Sequence, residues 1–145
     1  MMELPADLLD AIRDHGREAY PEECCGALLG RRQDDAVSVV RVERLPNARE
    51  GDRRRRYVIA PEDYVRVEAS ADRDGLTLVG FYHSHPDHPA VPSEYDREHA
   101  LPFFHYLVQA VAGGQPGEAA AWILEENRNV FVREELVSGS SVETS

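Results

Sequence analysis

The chain has 145 residues, 42% of them apolar, and 27 acidic against 16 basic side chains give a formal net charge of −11. That length suits one compact domain with its own core, and no stretch approaches the ~20 apolar residues of a membrane-spanning helix. The acidic balance argues against nucleic acid as a partner, because duplex binding needs clustered positive charge.

The first ten residues carry no basic segment followed by an apolar one, so no secretory signal is read and a cytoplasmic location is expected. Pro5 to Tyr20 reads as a helix: Leu8, Leu9, Ile12 and Ala19 fall near one face, and Asp7 lies early, where the helix dipole favours it. Pro21 ends it. Cys24 to Arg31 reads as a buried strand with Gly26 and Gly30 at its bends. The adjacent Cys24 and Cys25 are neither a disulfide framework nor a zinc-finger spacing. Strand neighbours point to opposite faces, so one cysteine is expected in the core and the other near a site. Ala36 to Leu45 alternates as a second strand, and Pro46 to Arg56 is a loop. Its Arg53–Arg56 run reads as a solvated segment or as a docking patch for an acidic protein partner. Every basic residue in the chain is Arg, and the lack of Lys excludes a Schiff-base mechanism.

Tyr57 to Ala60 reads as a short strand, and Pro61 opens a helix to about Ala71, Pro being welcome in a first turn. Leu76 to Tyr82 is an apolar, β-rich run that reads as a central strand. It leads directly into His83-Ser84-His85-Pro86. Asp87 to Pro92 is a loop, and Ser93 is placed to cap a short helix. Tyr106 to Ala112, Ala119 to Leu124 and Val130 to Leu136 complete the strands. The expected fold is a single α/β domain over residues 1–137, with a mixed, mainly antiparallel sheet flanked by helices. The Ser-rich tail, 138–145, is expected to be disordered.

His83 and His85 lie one residue apart on a strand, whose period of two puts both imidazoles on one face. A backbone offers two nitrogen ligands to one metal in this way. Catalytic zinc takes three protein ligands at ~2.0–2.2 Å and keeps one position for water, so a third ligand is needed. Asp96 is one candidate. Asp87 is the other, in a His83-x-His85-x-Asp87-His88 pattern that resembles the metal motif of the metallo-β-lactamase superfamily. That superfamily needs a larger sandwich and further ligands far downstream, whereas only His99 and His105 follow His88 here.

With Asp96 the segment reads His83-Ser84-His85-Pro86 … Ser93-Glu94-Tyr95-Asp96, and Tyr20-Pro21-Glu22-Glu23-Cys24-Cys25-Gly26 precedes it. Both stretches resemble the JAMM/MPN+ metalloprotease family, in the family's order and over nearly the whole chain. The resemblance implies the MPN fold, which is similar to that of cytidine deaminases; the deaminase Pro-Cys-x-x-Cys element is absent. It implies a zinc ion held by His83, His85 and Asp96. Glu23 would be the general base and Ser93 the residue that helps stabilise the oxyanion. Local physics leaves Glu22 and Glu23 equivalent; the family pattern selects Glu23. Ser84, facing the other way, is assigned a structural role. Family members typically hydrolyse the bond after the C-terminal Gly of a ubiquitin-like protein. The short single-domain form resembles prokaryotic members whose partners are β-grasp carriers. Two alternatives are a zinc hydrolase that releases an amino acid such as cysteine from a sulfur carrier, and a non-catalytic MPN scaffold. Such scaffolds usually lack the ligands this chain retains. The oligomeric state is not legible.

Overall fold

A computed structural model describes residues 1–125 and 129–138. The elements run β1 (Met2–Glu3), α1 (Ala6–Ala19), β2 (Cys25–Gln33), β3 (Ala36–Leu45), α2 (Pro61–Arg73), β4 (Thr77–Pro86), α3 (Glu94–His99), β5 (His105–Ala112), β6 (Gln115–Glu125), β7 (Val130–Glu134) and β8 (Leu136–Val137). Eight strands form one sheet in the order β7-β6-β5-β4-β2-β3-β1-β8. β2 pairs antiparallel with β3 and with β4, as β6 does with β5 and β7, while β4–β5, β1–β3 and β1–β8 are parallel. The sheet is therefore mixed, as expected. Of the expected tail, residues 139–145 lie outside the described residues.

Two cores sandwich the sheet. On one face α1 sets Ile12, with Leu8 and Leu9, against Leu28, Val37, Val39 and Tyr82. On the other, Val67 and Ala71 of α2 meet Ala27, Leu29, Leu78 and Phe81, with Tyr57 and Ile59 packed at the margin. Fully burying each such aliphatic or aromatic side chain contributes ~1.5–3 kcal/mol, so the central strands are the best-held part of the molecule. β4 is buried from Leu78 to Pro86, with β2 on one side and parallel β5 on the other.

Three expectations need correction. Tyr57 to Ala60 is not a strand. Its polar backbone groups go elsewhere: Val58 accepts from the Ala48 amide (2.8 Å) and donates to the Asn47 side chain (3.1 Å), so the segment needs no ladder. The central strand does not stop at Tyr82 but continues through Pro86, because β5 pairs with it as far as Pro86↔Val111. Gly26 lies in the regular ladder rather than at a bend; a Cβ there would overlap the Tyr82 ring. Gly30 does sit at a register shift against β3. β1, two residues long, is too short to carry a periodic signal.

Candidate metal centre

The β4 alternation turns Phe81, His83 and His85 to the α2 face and leaves Tyr82 and Ser84 facing α1. α3 supplies the third group. Ser93 caps it in a reciprocal box: the Asp96 amide donates to Ser93 Oγ (3.1 Å), and the Ser93 amide donates to Asp96 Oδ2 (2.8 Å). The box aims Asp96 back at β4. His83 Nε2, His85 Nε2 and Asp96 Oδ2 end 3.2, 3.0 and 3.1 Å from one another. Ligands on a tetrahedral ion at ~2.0–2.1 Å would be ~3.3 Å apart, so the three donors fit a zinc-like ion without rearrangement. All three residues are buried, and they are a metal-capable group among the described residues.

Supporting contacts orient the donors. His85 Nδ1 lies 2.9 Å from the Pro89 carbonyl, which fixes the proton there and leaves the Nε2 lone pair free. The Tyr57 ring stacks on His83 at 4.6 Å between centroids and 23° between planes. Burial alone would raise the Asp96 carboxyl, but His83, His85 and the Ser93 amide hold it well below the usual carboxylate range. Asp96 Oδ1 and His83 Nδ1 are buried without a hydrogen-bond partner.

Glu23 is 4% exposed, whereas Glu22 is exposed. Tertiary placement thus makes the distinction that local chemistry did not. Glu23 shares a cavity of about 520 Å³ with His85, Ser93, Tyr95 and the arginines Arg55 and Arg56. Its Oε1 is buried and unpartnered. Burial first, then the negative charges of Asp96 and Asp52, push its carboxyl up to about 9. Glu23 is held through its backbone: its amide donates to the Arg53 carbonyl (2.7 Å), and its carbonyl accepts from Asn47 Nδ2 (3.1 Å). The next amide, of Cys24, donates to Ser84 Oγ at 2.8 Å. Ser84 therefore joins β4 to the segment just before β2 that carries Glu23, from the α1 face. A second cavity of about 230 Å³, lined by Tyr57, Ile59, Phe81, Asp96 and Tyr106, meets the first at Tyr95.

Asp87 is not part of this group. Its φ is 60°, and its carboxylate accepts from the Tyr20 hydroxyl (2.7 Å) and the Gly113 amide (2.8 Å). It closes a turn between strands, so the Asp87 alternative and the metallo-β-lactamase pattern are set aside. Both cysteines are buried and free; burial pushes Cys24 up to about 11 and Cys25 up to about 12. Of the other histidines, His88 lines the first cavity, His99 stacks on Tyr95, and His105 pairs with Glu134. Sequence reasoning missed Tyr57, Tyr95 and Asn47. Asn47 uses its whole hydrogen-bonding capacity here: Nδ2 donates to the Glu23 and Arg56 carbonyls, and Oδ1 accepts from the Arg49 and Val58 amides. An Asn after a proline in a polar loop carries no signal of that.

The family of prokaryotic homologs of the JAB domain matches residues 5–135. A desampylase of Haloferax volcanii is 35% identical over 136 residues, covering 90% of this chain and 94% of that protein. A Thermus thermophilus protein named as a probable TtuB-protein conjugate cleaving protease is 33% identical, covering 88% and 78%. The solution structure of a Salinibacter ruber protein superposes with a TM-score of 0.74 at 45% identity, covering 97% of this chain and 92% of that one. On a match of that extent, the chain belongs to the prokaryotic JAB domain family.

Proposed function

We propose that this protein is a zinc-dependent peptidase or isopeptidase that hydrolyses the bond after the C-terminal Gly of a ubiquitin-like, β-grasp carrier protein. One observation carries the reading: His85, of the buried triangle with His83 and Asp96, lines the same cavity as Glu23, whose carboxyl has a free oxygen. The names of the Haloferax and Thermus relatives support a protein-conjugate substrate.

His83, His85 and Asp96 would hold the zinc, which when bound supplies Lewis acidity and lowers the pKa of water from 15.7 to ~7. Glu23 takes the proton of the attacking water and delivers it to the leaving nitrogen as the C–N bond breaks, giving a carboxylate and an amine. Burial and neighbouring negative charge raise Glu23; an added cation opposes both and so favours its basic form. The Ser93 oxygen accepts the Asp96 amide, which leaves its own O–H free to donate to the developing oxyanion. Tyr57, stacked on His83, keeps water from one side of the donor set. An extended Gly-Gly tail, having no side chains, is the kind of peptide that a cleft this close to a sheet can accept.

The test is a ubiquitin-like fusion extended beyond its Gly-Gly, incubated with and without a zinc chelator, beside Glu23→Gln. Cutting after the second Gly should stop with chelator. Glu23→Gln should keep its zinc and lose ~10²–10⁴-fold in kcat. Cutting that survives chelation, or a zinc-loaded protein that leaves every such fusion intact, would sink the reading.

A further inference from the structure

The arginine run is not a loop remote from the site; it forms a wall of the cleft. Arg55 and Arg56 line the same cavity as Glu23, His85 and Ser93. The Arg53 carbonyl accepts the Glu23 amide, and Asn47 Nδ2 bridges the Glu23 and Arg56 carbonyls. The Arg56 guanidinium lies 4.5 Å from the centre of the Tyr95 ring, which fixes that end of the loop across the cleft. The backbone is thus anchored to the segment carrying Glu23, while all four side chains from Arg53 to Arg56 are exposed.

Among the described residues, one ion pair reaches the run. Asp52 Oδ2 stands 3.8 Å from Arg55 Nε, and both side chains are largely exposed. Glu94, on the opposite wall, is engaged by Arg97. The chain as a whole is acidic, with a net charge of −11 even with these arginines counted. A partner with an acidic face is repelled by the net charge of the chain and attracted by the arginines beside the cleft. Fields of this kind select partners and steer their approach.

We propose that Arg53–Arg56 is the docking surface for an acidic face of the carrier, so that charge selects the carrier before its tail enters the cleft. This rests on the proposed function for the identity of the partner as a ubiquitin-like protein. It goes beyond that function in naming the surface and the charge of the carrier.

The experiment measures binding without turnover. Zinc-loaded Glu23→Gln protein is titrated with an acidic β-grasp protein ending in Gly-Gly, and with a counterpart whose surface acids are changed to lysine. Fluorescence anisotropy gives Kd at low and high salt, with the native loop and with Arg54→Glu/Arg55→Glu. The acidic carrier should bind the native loop about tenfold more tightly than the reversed loop, and lose about tenfold in high salt. The lysine-bearing carrier should prefer the reversed loop. That swap could not arise from a misfolded variant, which would lose both carriers. Equal Kd on the two loops, or a Kd indifferent to salt, would overturn the proposal. Wild-type protein that cuts both carriers at equal kcat/KM would overturn it while leaving the peptidase reading intact. Charge-selective docking without cutting would uphold it and sink the peptidase reading instead.

Discussion

Replacing Ser84 by Ala tests how the site is assembled, because this hydroxyl faces away from the metal triangle. Ser84 is 1% exposed, and its Oγ takes the amide of Cys24, the residue after Glu23. Ala removes the acceptor and leaves a buried amide unpaired, at a cost of ~1–3 kcal/mol. For a domain of this size that corresponds to a fall of ~3–10 °C in Tm. Glu23 keeps its anchors to Arg53 and Asn47, so its displacement should be partial. We expect kcat to fall ~10-fold, less than the ~10²-fold that accompanies a misplacement of ~1 Å. Metal content should be unchanged, since Ser84 points to the opposite face from His83 and His85. Thermal unfolding, zinc analysis and steady-state cleavage of the Gly-Gly fusion give the three readouts. Loss of zinc would show that Ser84 acts through the histidines, and an unaltered Tm would refute its role as the amide's partner.

Asp96→Asn should weaken zinc binding by at least ~100-fold, measured by competition with a chromophoric chelator, while Asp87→Asn should leave it unchanged because Asp87 serves a turn; the reverse result would return Asp87 to the ligand set. His15 gives a pH prediction. Burial, then the charge of Arg44, lowers its pKa to about 4, and its Nδ1 lies 2.7 Å from the Tyr82 hydroxyl. The folded state therefore binds fewer protons than the unfolded state between about pH 4 and the ordinary value of 6.5. Stability should fall as pH drops through that window, by ~1–2 kcal/mol after discounting for the half-exposed ring. A His15 ring that titrates near 6.5 by NMR, or a urea-unfolding profile that His15→Gln does not flatten, would refute this.

Much of the fold was legible because burial wrote it as a period. Ala36–Leu45 forms a strand at the bounds expected, and α1 and the central strand follow their apolar patterns. What failed were segments whose hydrogen bonds are not periodic. Tyr57 and Ile59 alternate as a strand would, yet Val58 donates to a side chain and accepts from an isolated amide. Gly30 marked a bend, but that β2 shifts register near it against both β3 and β4 could not be read. A bulge depends on how two strands meet, and neither strand alone records it.

The site divides along the same line. His83 and His85 share a face by backbone geometry alone, and Ser93 with Asp96 forms a local capping box; both are short-range facts. Choosing Glu23 over Glu22 needed a family pattern, since the physical distinction is that one carboxyl is buried in the cavity it shares with His85 and the other is exposed. The arginine loop is the clearest case. Its charge is plain in the sequence, and so is its polarity, from which a solvated loop follows. What makes it part of the cleft is Asn47, whose side chain ties residues on both sides of it to the backbone of Glu23 and Arg56. Those four bonds fix the loop more firmly than its composition suggests. They also link the position of the proposed base to the surface on which the proposed carrier would dock. Changing Asn47 should therefore disturb both together, whereas reversing Arg54, which does not line the cavity, should disturb only the docking.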